Sequence, residues 1–281
     1  VEIGGMLRIG TISEHQDNEQ FVLSRLGVRA MGSLGDNLGF FIDLSNGVKL
    51  NGDSRFASLT DPTLGRVFKF VQEEETYFDR YIGYLQYQND WMRFRFGRER
   101  FSFGFSPIDN LVHSRNAPLM DGISLDIPYK SIRFTMTHSA ASGNLNDVTP
   151  VVNKFIASHR LQADLTEDFS LAIQDMVAYS ERGIDFSYLN PLGFYVSTGL
   201  SEKYKSDLDN SMLALEACWR PWTGTMLYAS ILADDIGFST ITDTGYKGNN
   251  NKYGWQIGAT NSFSSIVGPM AFALEYVRLN P

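Results

Sequence analysis

Apolar and polar residues alternate in most segments of the chain. The clearest segment, Lys154 to Leu165, places Phe155 and Leu161 on one side and Ser158 and Arg160 on the other. Because successive side chains of a β-strand point to opposite faces, this alternation predicts strands. The pattern predicts about thirteen of them. They are Ile3–Gly10, Phe21–Met31, Leu38–Leu44, Thr76–Gln88, Trp91–Gly97, Gly122–Ile127, Ser131–Ala140, Lys154–Leu165, Phe169–Ser180, Ser211–Arg220, Thr223–Ala233, Lys252–Ser262 and Met270–Leu279.

The polar side of these strands carries many arginines. Between Trp91 and Gly97, for example, Arg93 and Arg95 alternate with apolar residues. The opposite, apolar face recurs in nearly every segment, which is typical of a closed barrel with an apolar outside and a polar inside. We therefore predict an all-β fold, an antiparallel transmembrane β-barrel, with residues 1–281 forming a single domain. Asp175 does not fit, because it falls on the apolar side of its strand.

Short and long connections alternate between the predicted strands. The short ones are Gly32–Asn37, Gln88–Asp90, Pro128–Lys130, Thr166–Asp168, Pro221–Trp222 and Phe263–Pro269. The long ones are Thr11–Gln20, Ser45–Glu75, Phe101–Asp121, Ala141–Asn153, Glu181–Asn210 and Asp234–Asn251. This asymmetry predicts short periplasmic turns and long extracellular loops. Aromatic residues near strand ends, such as Trp91, Trp219 and Trp222, fit an interfacial girdle and equally fit ordinary strand packing.

Composition narrows the class of protein further. The chain has 281 residues, a net charge of −8 and one cysteine, Cys218. The negative charge argues against nucleic acid as a partner, and a single cysteine excludes an internal disulfide. No stretch of about 18 uninterrupted apolar residues is present, so no transmembrane helix is predicted.

Two blocks of sequence resemble a known family. The first is GRERFSFGFSPIDNLVHSRNAP, and the second runs from YLNPLGFYVSTG through DLDNSMLALEACWRP. They are similar to the signature loop, the Asn-Pro loop and the Asp-Asn strand start of the capsule-assembly Wzi family of outer-membrane proteins. The matching positions are Gly97, Arg98, Gly104, Ser114, Asn116, Ala117, Pro118, Asn190, Pro191, Asp209, Asn210 and, in the following segment TMLYASILADD, Tyr228, Asp234 and Asp235. The family's Trp-Gly-x-Gly run is replaced here by Phe103, Gly104, Phe105 and Ser106.

The resemblance implies a fold and a function. It implies a barrel of about eighteen strands in the outer membrane of a Gram-negative envelope. An odd number of predicted strands in this chain agrees with that, so we expect further strands after residue 281. It also implies a non-catalytic protein that binds or anchors surface or secreted polysaccharide. Expected partners are outer-membrane lipid, acidic polysaccharide and other envelope proteins.

The arginines on the polar side are the candidate ligand-binding residues. Guanidinium groups pair well with carboxylates and phosphates, so they suit an acidic polysaccharide or a small anion. The candidates are Arg25, Arg29, Arg93, Arg95, Arg133 and Arg160. Alternatively they pair with Asp43, Asp164, Glu216 and Glu275 and brace the wall.

No catalytic or metal site is predicted. The four histidines are scattered and lack metal-ligand spacing, and Ser114 lacks the Gly-x-Ser-x-Gly elbow of a hydrolase. Two functions besides polysaccharide binding remain open at this point. One is a porin-like anion channel. The other is a structural anchor of an envelope complex, which the apolar residues Phe56, Leu59, Leu64, Val67, Phe68 and Phe70 would favour.

Overall fold

The computed structural model describes residues 2–14, 17–54, 76–141, 153–195, 209–234, 252–266 and 268–280; for residues 2–14 and 17–20 only the backbone is described. The strands are β1 (Glu2–Glu14), β2 (Asp17–Ser33), β3 (Leu38–Asn51), β4 (Tyr77–Gln88), β5 (Arg93–Glu99), β6 (Met120–Tyr129), β7 (Ile132–Ala141), β8 (Lys154–Asp164), β9 (Phe169–Ser180), β10 (Asn210–Trp219), β11 (Thr225–Asp234), β12 (Lys252–Ser265) and β13 (Gly268–Asn280). A short 3₁₀ helix, Phe186–Tyr188, follows β9.

The strands form one sheet in chain order, from β1 to β13. Each neighbouring pair whose register is described runs antiparallel, as in β7 with β8 and β12 with β13. The predicted all-β antiparallel architecture is therefore confirmed. The chain divides into two compact units, Val1–Phe101 with Asn116–Ile123, and Ser102–Arg115 with Ser124–Pro281.

Strand pairing extends further than the alternation predicts in three places. Thr11–Gln20 is wrong as a long connection, because β1 continues to Glu14, which pairs with Asp17 at the start of β2. Strand β3 continues from Ser45 to Asn51, which pairs with Val22. At the β12–β13 turn Ser265 pairs with Gly268. Backbone hydrogen bonds need no apolar side chain, so polar strand ends pair without showing a hydrophobic period.

The tight turns form because local side chains satisfy the backbone. Asn89 Oδ1 accepts hydrogen bonds from the N–H groups of Trp91 and Met92, at 3.1 and 2.9 Å. Thr166 Oγ1 accepts from the N–H of Phe169 at 3.0 Å in the β8–β9 turn. These are Asx- and ST-type turns, which cap a strand end without a glycine. They fix the register of the hairpins they join.

In the first unit, one sheet face is apolar and exposed. Leu26 is 66% exposed, Leu44 50% and Phe96 60%. On the other face Arg29 lies beside Asp43, and the rings of Phe41 and Tyr84 stack with centroids 5.4 Å apart. The polar face is thus held by ion pairing and ring stacking rather than by an aliphatic core.

In the second unit this arrangement, with apolar residues exposed and polar residues buried, is more pronounced. The apolar face exposes Leu161, Ile173, Leu215, Ile257 and Leu274, the last at 77%. The residues that alternate with them are buried although they are polar. They are Thr135, Thr137, Ser139, Ser158, Arg160, Ser170, Gln174, Glu216, Ser230 and Gln256. This distribution is the reverse of a soluble sandwich, where apolar residues are the ones removed from water.

Glycine at 258 leaves room for a buried tyrosine. A Cβ built on Gly258 would overlap the ring and hydroxyl of Tyr228, which lies opposite it on β11. The Tyr228 hydroxyl donates a hydrogen bond to Glu275 Oε2 at 2.7 Å. The strand therefore needs a residue without a side chain where this ring crosses it.

We expect Gly258→Ala to lower the free energy of unfolding by about 1–3 kcal/mol, because the Tyr228 ring must move and its bond to Glu275 weakens. Thermal unfolding followed by circular dichroism measures this. Gly83→Ala is the matched control, since its Cβ would meet only a carbonyl oxygen at 3.9 Å. Equal melting temperatures for the two variants would contradict the prediction.

Candidate functional site

A buried ion pair lies at the centre of the polar face of the second unit. Arg160 on β8 donates from Nε and Nη2 to Glu216 Oε2 on β10, at 3.0 and 2.7 Å. Its Nη1 donates to Gln162 at 2.8 Å. The side chains are only 7% and 3% exposed. Two charges this deeply buried are tolerated because each satisfies the other.

Residues Ser102–Arg115, here called the cover loop, lie over this face. The Phe105 ring stacks on the Arg160 guanidinium, with its centroid 4.8 Å from Cζ. Ser106 Oγ donates to Glu275 Oε2 on β13 at 2.5 Å. Gln256 on β12 donates to the Asp109 carbonyl at 2.7 Å. The loop thus contacts three strands of the face through one aromatic and two polar contacts.

The cover loop also organises itself. Ser106 Oγ accepts from the N–H groups of Ile108 and Asp109, each at 3.1 Å. The Asp109 carboxylate accepts from Arg115 N at 2.6 Å and from Ser114 Oγ at 2.9 Å. Side chains that bond nearby backbone groups hold a loop in one conformation without regular structure.

His113 is a buried, neutral part of this loop. Its ring packs edge-on against Phe103, with centroids 5.2 Å apart, and the two residues form an isolated β-bridge. The Ser102 hydroxyl donates to its carbonyl at 3.0 Å. Burial lowers the pKa of His113 to about 4, because the charged form would lose its hydration.

Gly104 occupies the tightest point of the loop. Its φ is +142°, and a Cβ there would collide with the Asn110 side chain. Asn110 in turn donates to Ser102 Oγ at 3.0 Å. The conformation is one that side chains rarely adopt, so the loop needs glycine at this position. Gly97, within β5, has a φ of +146° and the same requirement.

The candidate arginines are divided between the two units, with four in the first and Arg133 and Arg160 in the second. Arg25 and Arg29 lie on β2, and Arg93 and Arg95 on β5. Arg93 donates to Gln88 Oε1 at 3.2 Å, and Arg95 to Gln86 at 2.9 Å and Glu99 at 2.8 Å. Arg133 lies 3.7 Å from Asp126. Arg160 carries the buried pair. Their role in binding a ligand stays a prediction.

Three ion pairs on the polar face share one asymmetry, whereas Arg98–Asp121 on the apolar face shows the reverse order, at 31% and 58%. Arg29 is 47% exposed while Asp43 is 14%, and Arg133 is 55% exposed while Asp126 is 18%. Arg95 and Glu99 follow the same order, at 28% and 11%. In each of the three polar-face pairs the guanidinium is the member that solvent reaches. The accessible part of these pairs is therefore cationic.

The residues that match the family loops have local structural contacts. Arg98 pairs with Asp121 at 2.7 Å and its Cζ lies 4.6 Å from the centroid of the Tyr81 ring, on the apolar face. Asn116 and Pro118 lie between the cover loop and β6. Asn190 Oδ1 accepts from Leu192 N at 3.1 Å, in the turn that contains Pro191. Asp209 accepts from Arg182 and from the Tyr188 hydroxyl, and Asn210 begins β10.

Asp175 belongs to a network that the alternation did not predict. Residues Glu181–Tyr195, here called the clasp segment, fold back onto the apolar face of β7–β9. Asp175 Oδ2 accepts from the Tyr195 N–H at 2.5 Å. The Tyr195 hydroxyl lies 2.8 Å from His159 Nε2. His138, His159 and Asp175 all occupy apolar-face positions on three neighbouring strands. Three ionisable residues at apolar-face positions are the feature of the sequence that could have indicated this network.

The sheet face under the clasp segment is a small core. Ala157, Val177, Tyr179, Tyr188 and Tyr195 are all 0–1% exposed. The Tyr179 hydroxyl shares a 2.7 Å hydrogen bond with His138 Nε2 and accepts from Asp185 N at 3.1 Å. The segment is thus anchored by aromatic packing and by polar bonds to strand residues.

Within the described residues, no three His, Cys, Asp or Glu side chains lie close enough together to hold a metal ion. The same residues contain no helix with the length and hydropathy of a membrane span. Residues 55–75, which include the apolar set proposed as an anchor surface, lie outside the described residues.

Comparison with known proteins gives structural likenesses only. No protein-family model and no curated protein matches the chain, so nothing specific to the Wzi family supports the resemblance. A solved structure of Salmonella typhi OmpF in complex with daunomycin is 12% identical, with 99% of this chain and 89% of that chain covered and a TM-score of 0.43. A BenF-like porin from Pseudomonas fluorescens Pf-5 is 11% identical, with 98% and 79% covered and a TM-score of 0.43.

A third likeness is to OmpT, an outer membrane protein of Vibrio cholerae in its trimer form. It is 10% identical, with 99% of this chain and 87% of that chain covered and a TM-score of 0.42. The strands of this chain resemble those of porin barrels. At TM-scores below 0.5 these likenesses carry no argument about this chain's ligand or activity.

Breaking the buried pair should cost far more than breaking an exposed one. Arg160→Met or Glu216→Leu alone leaves a buried charge without its partner, and we expect a loss of about 3–5 kcal/mol in the free energy of unfolding. The double variant should recover most of it. Urea unfolding measures all three, with Arg29→Met as the exposed-pair control, expected to cost at most about 1 kcal/mol. A double variant as unstable as the single ones would contradict the prediction.

Acid should loosen the cover loop through His113. The pKa of His113 is depressed when folded, so its stabilising contribution is complete above about pH 6.5 and is lost as the pH falls towards 4. The protection factors of the amides of residues 102–115, which are exchange rates corrected for the intrinsic effect of pH, should therefore fall across that window. In His113→Phe, which cannot be protonated, this fall should be absent. An unchanged pH dependence in that variant would contradict the prediction.

Proposed function

We propose that the chain forms the wall of an outer-membrane β-barrel channel for small hydrophilic solutes. The observation that carries this proposal is the inverted burial of the second unit. Arg160, Glu216, Gln174 and Gln256 are buried on one face, and Leu161, Leu215, Ile257 and Leu274 are exposed on the other. An exposed apolar face of this kind is suited to contact with lipid.

The lengths of the connections support an orientation with one periplasmic and one extracellular end of the strands. At one end of the strands β2–β3, β8–β9 and β12–β13 are joined by tight turns; at the other end the cover loop joins β5 to β6, although β1 and β2 also pair closely there, from Glu14 to Asp17. Outer-membrane barrels have short periplasmic turns and longer extracellular loops. The cover loop then enters from the outer side and folds over the polar face, where it narrows the path that a solute takes.

The accessible arginines favour anions as solutes. Arg29 and Arg133 expose their guanidinium groups while their carboxylate partners are largely covered. A solute passing along the polar face of either unit meets cationic groups first, and guanidinium groups pair readily with carboxylates and phosphates. This supports the porin-like anion channel among the functions left open by the sequence.

The polysaccharide-anchoring function has less support in this geometry. Gly97 and Gly104 have backbone conformations that favour glycine. Ser114 donates a hydrogen bond to Asp109, and Asp209 accepts hydrogen bonds from Arg182 and Tyr188. None of these contacts requires a glycan. Capsule assembly, the protein partners and the identity of a glycan stay predictions from the family resemblance.

Planar-bilayer recordings test the channel directly. We expect discrete conductance steps and a reversal potential that favours anions. Ser106→Ala with Gln256→Ala removes both polar anchors of the cover loop, so the conductance should rise or fluctuate more. Arg133→Gln should shift the reversal potential towards cations.

Leu274→Ala, on the apolar face, is the control for these variants, and its conductance should equal that of the unmodified protein. A silent bilayer after verified insertion of the protein would rule out an open channel. Unchanged selectivity in Arg133→Gln would remove this arginine from the proposed anion path.

A further inference from the structure

The clasp segment covers positions where lipid contact would be costly. His138, His159 and Asp175 stand on the same face as Leu161, Ile173 and Leu215, which are exposed. Yet each of the three polar residues is at most 7% exposed. An ionisable group without a partner is expensive in hydrocarbon. Tyr195 and the Tyr179 hydroxyl, which binds Asp185, supply the partners and separate these side chains from the surroundings.

The segment is two-sided. Its inner side contributes Tyr188, Tyr195 and the backbone groups that bond to the strands. Its outer side carries large apolar side chains at high exposure: Ile184 at 55%, Phe186 at 83%, Leu192 at 93% and Phe194 at 45%. In water, four such side chains within one short segment would be unfavourable, because an exposed apolar cluster marks a contact surface.

The segment also reaches well down the strands. It leaves β9 after Ser180 and is tied at its start by Arg182, which donates to Asp209 from both terminal nitrogens at 2.6 and 2.7 Å. It arrives beside Asp175 through the Tyr195 N–H. His159 Nδ1 lies 3.0 Å from the Gly193 carbonyl. Five residues of strand separate Ser180 from Asp175, roughly 17 Å along the chain at about 3.4 Å per residue.

We propose that the clasp segment is a lipid-facing insertion, which replaces the sheet as the membrane-contacting surface over the outer half of β7–β9. This rests on the proposed function, since it requires the apolar face to contact lipid. The occupant of its outer surface is the acyl region of the bilayer. Ile184, Phe186, Leu192 and Phe194 continue the apolar band of Leu161, Ile173 and Leu215. The exposed charged and amide side chains of the segment are Glu181, at its start, and Asn190.

Depth follows from the geometry. A transmembrane band is about 25 Å tall and its strands tilt by roughly 35–45°, so a descent of roughly 17 Å along a strand reaches about half of it. Leu192 precedes Gly193, whose carbonyl lies beside His159, the strand partner of Asp175, so it lies near the deep end of the segment. Ile184 precedes Asp185, whose N–H donates to the Tyr179 hydroxyl, so it lies near the shallow end. Hydrocarbon contact should therefore be deeper at Leu192 than at Ile184.

Depth-dependent fluorescence quenching tests this. In a Cys218→Ala background, single cysteines replace Ile184, Leu192, Leu274 or Glu167 and carry an environment-sensitive fluorophore. Each labelled protein is reconstituted into vesicles of phosphatidylcholine brominated at defined acyl positions, and aqueous iodide is the opposing quencher. Leu274 reports on the apolar face of β13, and Glu167, in the β8–β9 turn, is the aqueous control.

We expect brominated lipid to quench at 192 and 274, deep bromines to act more strongly at 192 than at 184, and iodide to act only at 167. Quenching at 274 with iodide-accessible fluorophore at 192 would overturn the inference and leave the proposed function standing. Absence of lipid quenching at both 192 and 274 would instead overturn the proposed function.

The same labels distinguish lipid from a protein partner on the outer surface of the clasp segment. If neither quencher reaches 192 while energy transfer occurs between copies labelled there, a second copy covers the surface and the lipid assignment is wrong. Unfolding of the labelled variants is checked by the circular dichroism melting temperature, which should match that of the Cys218→Ala protein. The 274 label provides the same check on insertion.

Discussion

The two-residue period of a strand is the constraint on which the structure depends. It puts every second side chain on one face, so a polar residue and its apolar neighbour cannot share an environment. In the second unit, Arg160, Glu216, Gln174 and Gln256 occupy one parity and Leu161, Leu215 and Ile257 the other. Where the apolar face contacts lipid, the side chains on the polar face must find hydrogen-bond partners within the protein or in water.

The partners on the polar face come from two sources. The strands supply some of them, as Glu216 does for Arg160. The cover loop supplies others, because Ser106 reaches Glu275 and the Asp109 carbonyl accepts from Gln256. On the apolar face the clasp segment does the same for Asp175 and His159. The cover loop and the clasp segment therefore supply polar groups to Glu275, Gln256, Asp175 and His159, which strand pairing alone leaves without these partners.

Sequence reasoning predicts the strands well where apolar residues mark one face. Strand β9 is predicted at Phe169–Ser180 and observed at the same residues, and β8 differs by one residue at Leu165. It fails at polar strand ends, such as Thr11–Gln20, where backbone pairing continues without an apolar signal. The position of Asp164, Glu216 and Glu275 on the polar face could be predicted from the alternation. The partners of Glu275 could not, because Ser106 lies in a loop whose path no periodicity describes.

The Ser106–Glu275 contact has a consequence for the order of folding. It joins residues 169 positions apart in the sequence. A contact of such separation forms only after a large loss of chain entropy, and contacts of that kind slow folding. The hairpins from β7 to β13 join near neighbours and can pair as they are made. The cover loop, by contrast, can form this contact only when β13 is in place, so its docking on the polar face is among the last steps of folding.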